Sequence, residues 1–195
     1  MKYLAEGFQY KVYLIENSRV FKMEISYLVR LYKIFKITRG RVFPFFRAIL
    51  TAFNSDKKNK QAFKLIREKI KSIPKHLFAN PEFIRNTSNF TQDKVVILED
   101  YLKSCSTEDV IKIIDKYIEF QKMLWSHGIH DAVYKFQPNY AVDKEDNVVC
   151  VDFGEFVFTK EEALKSIQKE KWLHRSSYKN WDEDEVKKYY APKDG

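Results

Sequence analysis

The first twenty-three residues alternate apolar and polar positions and are rich in β-branched and aromatic side chains. That period of two predicts strands at Lys2–Glu6, Tyr10–Glu16 and Arg19–Met23, with Asn17-Ser18 turning the chain between the second and third. After Ile25 the period lengthens. Tyr27, Leu28, Leu31, Tyr32, Ile34 and Phe35 recur at helical spacing. Gly40 and Pro44 break this segment, so a second helix is expected over Pro44–Phe53. A third, amphipathic helix is expected over 56–72, ending before Pro74, with Phe63, Leu65, Ile66 and Ile70 as its apolar positions. Phe83–Arg85 and Lys94–Glu99 predict an antiparallel pair around a polar turn at 86–93. The clearest helix is Ser106–Trp125, with Ser106 or Thr107 able to cap it, Glu108 and Asp109 in its first turn, and Gly128 just past its end. The run Val148–Val151 reads as a buried strand that ends at Asp152, and Phe153-Gly154 then turns the chain. Helices are expected at Lys160–Lys171, capped by Thr159, and at Asp182–Tyr190, before a frayed Ala191–Gly195.

Composition narrows the class. At 195 residues, 45% hydrophobic and 16% aromatic, the chain can bury a core as one domain or as two small lobes sharing a cleft. A net charge of +8 favours an anionic partner: nucleotide, acidic lipid, nucleic acid or a phosphorylated substrate. No run of eighteen apolar residues and no signal-like N-terminus are present, so neither a membrane span nor secretion is expected. Cys105 and Cys150 form no metal-binding spacing and read as reduced thiols of a cytoplasmic protein.

The chemistry concentrates in residues 127–154. Asp131 offers a carboxylate to accept a proton from an attacking hydroxyl, and Asn139 and Asp152 offer oxygens for magnesium. Taken singly, each has a bland alternative: Asp131 as a cap, Asn139 as a turn residue, Asp152 as a surface acid.

Taken in order, His127-Gly128-Ile129-His130-Asp131, Asn139 and Asp152-Phe153-Gly154 after a long helix resemble the catalytic and metal-binding loops of the protein-kinase-like superfamily. Asn139 precedes Asp152 by thirteen residues, which matches the family spacing. The resemblance implies a reduced two-lobed α+β kinase-like fold. A small lobe would span 1–100, with a basic helical insert at 25–55, and a minimal helical lobe would span 101–195. It implies ATP and Mg2+ as cofactors. Leu4–Tyr13 is similar to the glycine-rich turn over ATP phosphates, although only Gly7 keeps its glycine. Val12 would pack on adenine and Lys22 would hold the α- and β-phosphates. Glu68 would pair with Lys22, and the backbone of Glu99–Tyr101 would meet the adenine edge. Asp131 would be the base, Lys135 would reach the transferred phosphate, and Asn139 and Asp152 would be the metal ligands.

Departures from the pattern bear on function. The arginine between His130 and Asp131 is missing, and eight residues rather than five separate Asp131 from Asn139. No Ala-Pro-Glu follows Gly154, so no peptide-docking floor is expected. A small-molecule or lipid-linked acceptor is favoured over a protein, as in bacterial lipopolysaccharide sugar kinases, to which the chain is loosely similar. The alternative is a pseudokinase-type module that binds nucleotide, or acts as a scaffold, without turnover. The basic aromatic segment 25–53 has three readings: a cover on the small lobe, a contact with an anionic membrane surface, or a site for a phosphorylated or nucleic-acid substrate. No nucleic-acid motif supports the last, and nucleic acid is not an expected partner. The expected location is cytoplasmic, or peripheral to the inner face of a membrane.

Overall fold

The computed structural model describes residues 1–168 except Asn17, Gly40 and 132–135. Lys135 and the helix expected at Asp182–Tyr190 lie outside the described residues.

The three N-terminal strands form as their alternation predicts: β1 Lys2–Glu6, β2 Tyr10–Glu16 and β3 Arg19–Glu24. Helix α1 covers Tyr27–Ile37 and helix α2 runs unbroken over Val42–Lys69. The two helices expected at Pro44–Phe53 and 56–72 are therefore one. Pro44 sits in the first turn of α2, where a helix has no use for a backbone donor, so the proline starts the helix instead of breaking it. Strands β4 (Glu82–Phe83) and β5 (Phe90–Asp93) complete an antiparallel sheet of order β1-β2-β3-β5-β4.

The second half of the expected β4–β5 pair is displaced. Phe83 pairs with Phe90, within the stretch read as a polar turn. Val96–Ile97 is a short strand, β6, that pairs with a later hairpin, and Leu98–Tyr101 is a helical turn, α3. Apolar Val95–Leu98 satisfied a strand template equally well. What decided the pairing was Phe90, whose ring has an aromatic cluster to enter.

Helix α4 spans Thr107–Ser126, and the backbone N–H of Asp109 donates to the Ser106 hydroxyl at 3.2 Å. Gly128 takes the left-handed conformation beyond its end, with φ of 66°. Strand β7 (His130–Asp131), helical turn α5 (Phe136–Asn139), the hairpin β8 (Tyr140–Val142) and β9 (Val148–Cys150), strand β10 (Phe156–Val157) and helix α6 (Lys160–Gln168) follow. β7 pairs with β10, so the two ends of the loop region are stitched together. Both cysteines are free, and burial pushes the Cys150 thiol well up. Among the described residues, no helix is long and apolar enough to cross a membrane.

One continuous core joins the sheet half to the helical half, running from Phe63, Ile66 and Phe90 to Ile113, Leu124 and Tyr140. At its centre Phe153 lies 5.1 Å from Phe90, 6.0 Å from Phe63 and 6.0 Å from Phe78, centroid to centroid. A second tie is polar. Arg30 of α1 is buried, pairs with Asp56 of α2, and reaches Glu24 of β3 at 3.6 Å.

Two stability tests follow from these ties. Phe153→Ala removes a ring from five-residue aromatic packing and is expected to cost about 3–5 kcal/mol, read from the urea midpoint. For Asp56, burial raises the carboxyl, but hydrogen bonds from Arg30 and then Lys60 outweigh it and hold the group below its ordinary 3.8. Its contribution is therefore fully present above pH 3.8 and is lost as pH falls through the lower folded value. Asp56→Asn should flatten that acid limb of stability, and Asp56→Ala should cost about 1.5–3 kcal/mol at neutral pH by leaving buried Arg30 with Glu24 alone.

Candidate active site

Strand β3 alternates Val20 and Lys22 onto the face that looks toward the helical half, and Val12 stands opposite Lys22 on β2. With Leu4, Ala5, Gly7 and Phe8 above and Val95, Ile97 and Val151 below, they line a cleft of roughly 680 Å³. Asp93, Lys94, Asp100, Asp152 and Glu155 also line it, so the cleft combines apolar surface with charged groups of both signs.

Lys22 donates to the Val151 carbonyl at 2.5 Å and lies 5.6 Å above the Phe90 ring. Burial lowers its pKa, and the negative charge of Asp152 opposes that shift. A cation so placed gains by meeting an anionic ligand.

Asp152 is held from three sides. Its Oδ1 accepts from the Gly154 N–H at 3.2 Å. Its own N–H and that of Val151 donate to the Asn139 carbonyl, at 3.3 and 2.9 Å. Phe153, next in the chain, is anchored in the aromatic cluster. Gly154 packs closely on α2: a Cβ there would meet Asn59 Cγ at 3.3 Å, and the Asn59 side chain would have to shift by a few tenths of an ångström to admit it. Asn139 is 6% exposed and stands behind Asp152, and its amide donates to Glu155 Oε2 at 3.1 Å. The loops thus bring Asn139, Asp152 and Glu155 together. All three supply hard oxygen donors of the kind a magnesium ion shares with phosphates and water. Among the described residues no group of three or more His, Cys, Asp or Glu side chains is placed to hold a metal ion.

Glu155 was not singled out from the sequence. Its only signal there is an acid directly after Asp-Phe-Gly.

The remaining expected residues divide. Gly7 and Val12 line the cleft as expected. Glu68 does not: it is exposed, nine residues and hence half a helical turn from Asn59, the α2 residue that does face Lys22 and Asp152. Glu99 is exposed and Tyr101 half-buried. Neither lines the cleft, but Asp100 between them does, together with Asp93, Lys94 and Val95 of the preceding stretch.

Asp131 is the least cleft-like. It is 1% exposed and does not appear among the described residues lining the cleft. The Tyr140 hydroxyl donates to its Oδ2 at 2.6 Å and accepts from Gln121 Nε2 at 2.9 Å. Burial, then the charge of Asp131, pushes the Tyr140 phenol far up, so it stays protonated and remains a donor. The His130 ring, next door, lies tilted with its centroid 6.0 Å from that of Trp125, and burial lowers its pKa.

No protein-family model matches the sequence, and no curated protein matches it. Solved structures do. A crystal structure of WbdD matches at 16% identity and a TM-score of 0.52, over 87% of this chain and 35% of that one. A co-crystal structure of WbdD with the kinase inhibitor LY294002 matches at 14% identity and 0.48, over 80% and 33%. Monomeric WbdD matches at 18% and 0.44, over 89% and 39%. The chain thus spans about a third of the length of the WbdD chains it matches. Sheet order and likeness agree: the chain has a two-lobed α+β kinase-like fold, similar to that of WbdD.

Proposed function

We propose that the chain binds ATP with Mg2+ in this cleft and transfers the terminal phosphoryl group to a hydroxyl of a small or lipid-linked acceptor. The observation that carries this reading is the placement of Lys22, Asp152 and Glu155 in one cleft, with the Asn139 amide hydrogen-bonded to Glu155. Lys22 would leave the Val151 carbonyl to pair with the α- and β-phosphates. Val12 and Val20 would cover the adenine ring. Asp152 and the amide oxygen of Asn139 would hold the cation, whose charge would offset the negative charge spread over the phosphates. The acceptor oxygen would bond to the γ-phosphorus as the bond to the bridging oxygen breaks, ADP leaving with that electron pair. The acceptor proton would pass to Asp131, oriented by the Tyr140 hydroxyl.

A second reading is favoured by the burial of Asp131: a nucleotide-binding module that does not transfer phosphate. The two are separated by measuring Mg-ATP thermal stabilisation and phosphate transfer on the same samples. On the first reading Asp152→Ala abolishes Mg-ATP stabilisation, and Asp131→Asn lowers turnover by about a hundredfold or more while keeping that stabilisation. Mg-ATP binding without measurable transfer in the unaltered chain selects the second. Transfer unchanged in both Asp131→Ala and Asp152→Ala overturns the first.

A further inference from the structure

The hairpin formed by α1 and the first half of α2 presents a large apolar face to solvent. In α2 the core-packed residues begin at Ala62, and none from Val42 to Asn54 is buried. The 28-residue helix therefore projects past the core by about half its length. Along that half Phe43, Phe46, Leu50 and Phe53 follow a three-four-three spacing, which sets them on one stripe, and Phe43 is 88% exposed. Leu28, Tyr32 and Phe35 form the matching outward stripe of α1. The helices are joined by Phe35–Phe45 packing at 5.7 Å. Isolated exposed apolar residues are ordinary, but two adjoining stripes of bulky aromatics are not.

The charges around this face have one sign. No acid occurs from Ile25 to Ser55. Arg30 and Lys33 are engaged inward, with Asp56 and Glu6. Lys36, Arg39, Arg41 and Arg47 are exposed and make no ion pair among the described residues. Arg39 and Arg41 flank the hairpin tip beside Ile37, Val42 and Phe43. Such a surface inserts aromatic and aliphatic side chains while cations remain at headgroup depth.

We infer that the α1–α2 hairpin docks the protein on an anionic lipid bilayer. The hairpin is coupled to the cleft: Lys33 donates to the Gly7 carbonyl at 2.8 Å and pairs with Glu6 at 2.5 Å. Phe8, in the same β1–β2 turn, lines a shallow groove with Ile34, Pro44 and Arg47. Docking thus brings the turn that roofs the cleft to the lipid surface, where a lipid-linked hydroxyl lies. The docking itself does not depend on phosphoryl transfer.

The test is flotation of the full chain with vesicles of phosphatidylcholine alone or mixed equally with phosphatidylglycerol. Binding is expected to the anionic vesicles, weaker by at least about tenfold to phosphatidylcholine, and reduced by salt. Arg41→Glu/Arg47→Glu and Phe43→Ser/Phe46→Ser should each weaken it by about tenfold or more, with thermal unfolding unchanged because none of these side chains is buried. No flotation with anionic vesicles overturns the inference, as does undiminished binding by the Arg pair variant. A dimer in light scattering that the Phe pair variant dissociates, without vesicle binding, overturns it in favour of self-association.

Discussion

The packing of Phe153 is the constraint on which the site depends. Its ring fills the meeting point of β4, β5, α2 and the turn at Phe78. Asp152 and Gly154, on either side, are thereby fixed relative to the sheet that carries Lys22. The aspartate itself is held by the Gly154 N–H, the Cys150 thiol and, through its own N–H, the Asn139 carbonyl. A rigid apolar anchor beside a functional carboxylate leaves the carboxylate oxygens free to change partners without loosening the backbone.

Helix α2 connects the proposed activities. Its C-terminal half contributes Phe63 and Ile66 to the core and Asn59 to the cleft floor, and Lys69 donates to the His127 carbonyl at the end of α4. Its N-terminal half carries the unpartnered apolar stripe. Arg30, clamped between Asp56 and Glu24, fixes the junction of the two halves to the sheet. A shift at the hairpin would therefore be felt at β3, two residues from Lys22.

The two carboxylates of the motif occupy contrasting environments. Asp152 faces the cleft near a cation. Asp131 is enclosed and hydrogen-bonded by Tyr140, which Gln121 steadies in turn. The lengthened stretch between Asp131 and Asn139 places Phe136 in the core, 4.6 Å from the Tyr117 ring.

Much of this was legible from the chain alone. Alternation located β1 to β3 because successive side chains of a strand point to opposite faces of the sheet. The spacing from Asn139 to Asp152 marked a loop–hairpin–loop whose length leaves little choice of geometry. The misreadings share a cause. Pro44 divides a helix or starts one depending on where the first turn falls. Glu68 and Asn59 are equally good polar helix residues until the core chooses which face of α2 turns inward. Val95–Leu98 and Phe90–Asp93 both fit a strand. Sequence determined which segments are regular and which residues carry chemistry, because those follow from local periodicity and side-chain type. Only the tertiary structure decided which of them meet, because burial and facing are set by partners far along the chain.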